Sequence, residues 1–171
     1  MIIINMLIPL FAMLFLLSPK PEVGEIAPLF TGLSTGGKTI SLEKYRGSWV
    51  VLYFYPKAFT SGCTAQSCSL RDKYEILVAH KAKVIGVSFD DIDLQEKFKT
   101  AHNLPFDLIS DHDKKIGKLY DTVGVLGLYA KRKTFIIDPD GKIAYIFQKV
   151  DTENHAEEVI AVIEKLGENL E

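Results

Sequence analysis

Cys63 and Cys68 are the two cysteines of the chain. They stand five residues apart in the run Tyr53-Phe-Tyr-Pro-Lys-Ala-Phe-Thr-Ser-Gly-Cys63-Thr-Ala-Gln-Ser-Cys68. The run begins as an apolar strand-like stretch and changes to helical spacing near Ser61, which puts Cys63 in the first turn of a helix. Unpaired amide N–H groups and the helix dipole favour negative charge there. A thiolate, not a thiol, is the nucleophile. Cys63 is therefore a candidate nucleophile and Cys68 a candidate partner for its oxidised sulfur. The competing reading is a pair of inert core cysteines, common for free Cys. A cysteine inside the polar string Thr-Ser-Gly-Cys-Thr is expected to pack poorly in a core, which argues against it.

Neighbouring residues extend the candidate site. Thr60, three residues before Cys63, can bond the Cys63 sulfur or cap the helix. Pro56 ends the strand and shields one side of the pocket. Gly62 lets a substrate approach the backbone. On one intact helix, a spacing of five turns the two cysteines about 140° apart and holds their Cα atoms more than about 8 Å apart. A disulfide needs about 7 Å or less. If Cys68 resolves an oxidised Cys63, the first turns of the helix must unwind.

The elements that position these residues follow from periodicity. Gly24 to Phe30 is an extended lead-in, and Gly36-Gly37 is a hairpin turn with a returning strand from Lys38 to Leu42. Ser41 to Arg46 is a helical turn ending at Gly47. Ser48 to Tyr55 is an unbroken apolar run suited to a central strand covered on both faces. Helical spacing from Ser61 to about Lys81 puts Leu70, Tyr74, Leu77 and Val78 on one stripe. Lys83 to Phe89 is a second buried strand, Ile92 to His102 a helix with Leu94 and Phe98 inward, Phe106 to Ser110 a short strand, and Lys114 to Tyr120 a short helix. Lys133 to Ile137 and Lys142 to Gln148 pair over the turn Asp138-Pro-Asp-Gly141. Asn154 to Leu166 closes the chain with Val159, Val162 and Ile163 on one face. This order gives an α/β fold: a thioredoxin-like sandwich with a mixed central sheet and an N-terminal hairpin extension.

The 171 residues suffice for one domain with a sizeable core. The net charge of −2 and the absence of a basic run leave no electrostatic footprint for nucleic acid. Residues 1–18 differ from residues 19–171, the folded domain. Met1 to Leu17 carries one polar side chain, Asn5, and no charge. As a helix it would span roughly 25 Å, short of a ~30 Å hydrocarbon core. It reads as a secretory signal, although it lacks a basic start and a small-residue cleavage site; as an uncleaved membrane anchor; or as a start-site artefact with the true start at Met6 or Met13. A buried core helix is disfavoured, because nothing polar patterns a second face. The compartment follows the reading: extracytoplasmic or membrane-anchored if the segment is real, cytoplasmic otherwise.

At the cysteines the sequence resembles the peroxiredoxins. Pro56-x3-Thr60-x2-Cys63 matches that family's active-site signature. The run from Phe54 to Asp72, with Gly62-Cys-Thr, Gln66, Cys68 and Leu70-Arg-Asp72, is similar to the bacterioferritin comigratory protein or Q-type branch. The likeness continues through Ala27-Pro28, Gly37-Lys38, Ser41-Leu42, Arg46-Gly47, Ser110-Asp111 and Phe135-Ile-Ile-Asp-x-Asp-Gly141, covering the chain after residue 22. It implies a peroxidatic Cys63 and a resolving Cys68. Thr60 and Arg132 would activate thiolate and peroxide. Arg132 is carried over because it stands three residues before Phe135; on composition alone, Lys131-Arg-Lys reads as solvated surface charge. The branch also implies peroxide as substrate, thioredoxin or a similar dithiol as reductant, a monomer, and no metal, haem or flavin. Ser61 stands where the family carries proline, a residue preorganised for a first helical position. A looser pocket and easier unwinding are expected from it. Gln66, where relatives often carry glutamate, gives little by itself.

Two other classes compete. A membrane-anchored thioredoxin-like copper chaperone would use a cysteine pair with a histidine. His80, His102, His112 and His155 are the candidates, each better read as a surface or helix-end residue. A thiol–disulfide oxidoreductase would be expected to carry C-x-x-C, which the chain lacks.

Overall fold

The computed structural model describes residues 20–168. The apolar stretch of residues 1–17, with its readings as signal, anchor or artefact, lies outside the described residues. Seven strands form one mixed sheet: β1 (Thr31–Ser34), β2 (Lys38–Ser41), β3 (Trp49–Phe54), β4 (Ala82–Ser88), β5 (Asp107–Ser110), β6 (Lys133–Ile137) and β7 (Ile143–Phe147), in the order β2-β1-β5-β4-β3-β6-β7. β3 runs parallel to β4 and antiparallel to β6. The helices are α1 (Ser61–Asp72), α2 (Tyr74–Ala79), α3 (Ile92–Ala101), α4 (Lys115–Leu119) and α5 (His155–Gly167). This is the thioredoxin-like sandwich, with β1 and β2 as its N-terminal hairpin.

The unbroken apolar run makes β3 a strand covered on both faces. Trp49, Val51, Tyr53 and Tyr55 pack with Leu70 of α1, Leu77 of α2, Phe98 of α3 and Val159 of α5. Val50, Leu52 and Phe54 point the other way, to Phe30, Ile116 of α4, Tyr120 and Phe135. Alternation with a period of two therefore divides one strand between two cores. Residues 24–27 run along β7, with Ala27 N donating to Gly141 O at 2.9 Å and Ile143 N to Glu25 O at 2.8 Å. That backbone covers an edge that would otherwise be open. Among the described residues no helix is long and apolar enough to cross a membrane.

One expectation for the helical segment fails. The helix breaks at Lys73, whose backbone leaves the helical region (φ −110°, ψ 14°). The break resets the face that α2 presents, so Leu77 is buried and Val78 is exposed rather than inward. Elsewhere the element ends move by a residue or two, the usual fraying of termini.

Candidate active site

The two parallel crossovers place the site. β3 ends at Phe54, Pro56 carries the chain out of the sheet, and α1 begins at Ser61. Cys63 thus sits at the carboxyl end of the central strand. It is fully buried, with 0% of its surface exposed. The expectation that its polar neighbours make it a poor core residue is wrong. Positions 63, 66, 67 and 70 form the inward stripe of α1, and all four are buried. Polar side chains occupy that stripe because each has a partner: Ser67 Oγ lies 3.0 Å from the Tyr53 hydroxyl, and Gln66 Oε1 accepts from Arg132 at 2.6 Å. Tyr53 itself is held as a neutral phenol, its pKa raised by burial.

Arg132, the residue before β6, reaches across to this helix. Its Nη2 lies 3.3 Å from Cys63 Sγ, and its Nη1 donates to Gln66 Oε1 and, at 3.4 Å, to the Gly62 carbonyl. The solvated-charge reading of Arg132 does not hold. The guanidinium is half-buried, and its fork spans one turn of α1. Gly62 has a different use from the one expected. A Cβ there would sit 3.2 Å from Arg132 Nη2, so the glycine makes room for the arginine itself.

Thr60 is the N-cap residue by backbone conformation (φ −76°, ψ 150°), yet its side chain caps nothing. Its hydroxyl donates instead to the Lys57 carbonyl at 2.9 Å. Neither expected bond, to the Cys63 sulfur or to the helix N-terminus, forms: the hydroxyl proton that could reach the sulfur goes to the preceding turn, and the oxygen accepts from no helix N–H. Pro56 is half-buried at the strand exit. The Pro56–Thr60 loop is held from below by Asp90, whose Oδ2 accepts from Ala58 N and from Ser88 Oγ, both at 2.8 Å. Ser88 Oγ in turn accepts from Gln95 Nε2 at 2.8 Å, and Tyr55 donates to Gln95 Oε1. Phe59 tops the loop with a left-handed backbone (φ 64°) and its ring edge-on to Phe98.

Cys68 is half-buried on the same continuous helix, and both thiols are free. The two halves of α1 are fastened differently. Ser69 Oγ accepts from Ala156 N at 3.0 Å, and Arg71 Nη1 donates to the His102 carbonyl at 2.9 Å. Before Ser67 the side-chain bonds of the helix run to Arg132.

The places of three residues near the site were not read from the sequence. Gln66 had a usable signal: it lies three residues after Cys63 and so shares its helix face. Asp90 had none, since its role depends on a fold contact 32 residues away. His155, the first residue of α5, is a helix-end histidine as expected, but a fully buried one. Its Nε2 lies 2.9 Å from Thr134 Oγ1, and its pKa falls to about 4 through burial first and the charge of Arg132 second. It is neutral at neutral pH. Among the described residues, buried Nδ1 of His155 and Nε2 of Gln66 have no hydrogen-bond partner. Among the described residues no group of three His, Cys, Asp or Glu converges to hold a metal.

Known proteins are similar to this chain in both sequence and fold. The model of the AhpC/TSA family matches residues 23–146. Peroxiredoxin Bcp of Bacillus subtilis (strain 168) is 35% identical over 153 residues, spanning 86% of this chain and 98% of the relative. The chloroplastic Peroxiredoxin Q of Triticum aestivum is 39% identical over 149 residues, spanning 86% of this chain and 69% of the relative. Among solved structures, Peroxiredoxin Q of Xanthomonas campestris is similar with a TM-score of 0.75 at 29% identity, covering 80% of this chain and 90% of that one. Peroxidoxin BcpB of Mycobacterium tuberculosis gives a TM-score of 0.79 at 27% identity, covering 85% and 98%. With a family match over more than half its length and relatives this similar along nearly the whole domain, the chain belongs to the AhpC/TSA family.

Proposed function

We infer that the protein is a thiol-dependent peroxidase in which Cys63 is the nucleophile and Cys68 resolves it. The observation that carries the reading is the Arg132 guanidinium 3.3 Å from a fully buried Cys63 sulfur at the start of α1. A cation and a helix N-terminus converge on one sulfur, the atom that must act as nucleophile. Relatives named peroxiredoxins support the reaction class.

The chemistry proceeds in three balanced steps. The Cys63 thiolate attacks one peroxide oxygen, an S–O bond forms, the O–O bond breaks, and the leaving alkoxide or hydroxide takes up a proton. Arg132 opposes the charge that develops on the departing oxygen. Because Thr60 spends its proton on Lys57, toward a peroxide its oxygen can act only as an acceptor. The Cys68 sulfur then attacks the sulfenic sulfur, forming the disulfide and releasing water. A thioredoxin-type dithiol reduces the disulfide by exchange and leaves oxidised. Pro56 completes the signature by turning the chain out of the sheet beneath the nucleophile.

The domain of residues 19–171 is proposed to act as a monomer, with residues 1–17 serving export or membrane association if they are real and contributing nothing if they are a start-site artefact. Peroxide consumption with a dithiol reductant tests the core reading: Cys63→Ser abolishes turnover in a correctly folded protein. Turnover at the wild-type rate in that variant would show that the nucleophile is elsewhere.

A further inference from the structure

The segment between α4 and β6 carries the most exposed large apolar side chains among the described residues: Leu126 at 88%, Leu128 at 76% and Val125 at 68%. They sit on a narrow hairpin. Val123 and Ala130 form a bridge, Gly124 N donates to Tyr129 O at 2.8 Å, and Leu128 N closes the tip onto Val125 O at 3.2 Å. The two central residues, Leu126 (φ 54°) and Gly127 (φ 70°), are both left-handed. That is the pattern of a type I′ turn, for which Asn-Gly is the favoured pair. A leucine in the first position is strained, and its side chain stands in solvent with no packing to offset the strain.

The base of this hairpin is where the chain leaves the described residues. Lys20 Nζ lies 3.6 Å from Asp121 Oδ2, and Lys133 Nζ lies 3.7 Å from the same oxygen. Asp121 and Lys133 flank the hairpin, so the Lys20 side chain reaches its base. Only two residues separate Lys20 from Leu17, the end of the stretch with no charge. Exposed Lys118 and Lys131 lie close by in sequence on either side of the tip.

We propose that the hairpin tip, Val125, Leu126, Leu128 and Tyr129, inserts into the interfacial layer of a lipid bilayer. A projecting apolar tip with Lys114 Nζ 3.6 Å from a Cβ placed on Gly127 and exposed lysines on either side in sequence suits that layer: acyl chains accept the tip, and headgroup phosphates accept the cations. A second copy of the chain fits less well, because an interface of ~800 Å² per partner exceeds what four side chains on a convex tip present. The hairpin returns through Ala130 to Arg132, so docking sets the site of Cys63 close to the lipid face. The proposal concerns binding alone and stands apart from the peroxidase reading.

The test uses the full chain. In Leu126→Trp, phosphatidylcholine–phosphatidylglycerol vesicles with brominated acyl chains quench and blue-shift the new emission, read as a difference from wild type, whose Trp49 is buried. Leu126→Asn and Leu128→Ser each weaken vesicle binding by about tenfold, the scale of one buried leucine. Leu126→Asn leaves the unfolding midpoint unchanged or raised, since asparagine tolerates the left-handed turn. Absence of vesicle binding overturns the proposal. So does unquenched L126W emission on vesicle-bound protein, which would leave attachment to residues 1–17 alone. L126W emission already shielded before vesicles are added overturns it too, by showing the tip covered by residues 1–17 or by a second copy. Because no peroxide is used, each of these failures leaves the peroxidase reading untouched.

Discussion

Replacing Arg132 by methionine keeps the length and apolar body of the side chain and removes its charge and fork. A thiolate 3.3 Å from the guanidinium interacts with it by about 5 kcal/mol at an effective dielectric of about 20. Water at the half-exposed guanidinium reduces this toward the ~1.5–3 kcal/mol of a charged hydrogen bond. At about 1.4 kcal/mol per decade, that is about a ten- to hundredfold loss in rate. The donor facing the leaving oxygen is lost as well, so the combined effect on Cys63 oxidation is a slowing by about 10³-fold. Arg132→Lys retains a point charge but cannot reach Cys63 and Gln66 together, and falls between. Stability moves separately. In Arg132→Met, buried Gln66 loses its 2.6 Å bond and the protein loses about 1–3 kcal/mol. Gln66→Met in the same chain recovers much of that stability without recovering the rate. Stopped-flow oxidation by hydrogen peroxide, followed by the loss of free Cys63 in mass spectra, gives the rate; urea unfolding gives the stability. A wild-type oxidation rate in Arg132→Met would refute the argument, because no contact of Arg132 with the sulfur would then be affecting the chemistry.

In Cys68→Ser the sulfenic acid has no intramolecular partner; one equivalent of peroxide should be consumed rapidly, after which turnover stalls and sulfinic acid accumulates in the mass spectrum. Oxidised wild type should lose amide protection over about residues 61 to 67, while 69 to 72, tied to α5 and α3 through Ser69 and Arg71, exchange less; equal protection in both redox states would contradict an unwinding step. Asp90→Ala removes the acceptor of Ala58 N and Ser88 Oγ, and should cost about 2 kcal/mol and slow the peroxide step by loosening the Pro56–Thr60 loop, as read by urea unfolding and stopped flow. His155 has a folded pKa of about 4 against about 6.5 unfolded, so the unfolded chain binds the extra proton between these values. Its neutral burial is fully favourable above pH 6.5 and is lost as pH falls toward 4, by an amount on the order of 3 kcal/mol; His155→Gln should flatten that part of the wild-type stability curve, and an unchanged slope would disprove it.

The sheet was legible because its strands are written in plain alternation and apolar runs: Trp49 to Tyr55 can only be a strand covered twice, and Asp138-Pro-Asp-Gly141 can only turn. The cysteine spacing was legible for the same reason, being a local pattern. The environment of Cys63 was not. Its helix face reads Cys63, Gln66, Ser67, Leu70, polar at half its positions, so the amphipathic signal that marks a buried stripe is missing. What makes the stripe buriable lies elsewhere in the chain: Tyr53 for Ser67, and Arg132, 66 residues on, for Gln66. Asp90 under the loop and His155 under Thr134 belong to the same class, polar groups placed by tertiary contact. Val78 was misassigned for a different reason, a one-residue break at Lys73 that periodicity cannot see.

Burial and attachment together connect the reduced pocket to its resolution. Cys63 has no exposed surface, and adding an oxygen to its sulfur enlarges a side chain in a packed site, which is destabilising. The group it presses on is the one that holds this end of the helix. Arg132 grips Gly62, Cys63 and Gln66 at once, so a sulfenic acid that displaces the guanidinium from the sulfur strains all three bonds together. In an α-helix, residues 63 and 68 have Cα atoms about 8.7 Å apart, beyond disulfide reach, and no rotamer change closes that gap. Losing the turns that Arg132 holds does close it, because the segment from 61 to 67 can become extended or coiled while Ser69, Leu70 and Arg71 keep the rest of α1 on the sheet. Ser61 at the first helical position, without the fixed φ of proline, lowers the cost of that release. The contact of Arg132 with the sulfur is therefore also the latch on the helix, and oxidation of the sulfur acts on both.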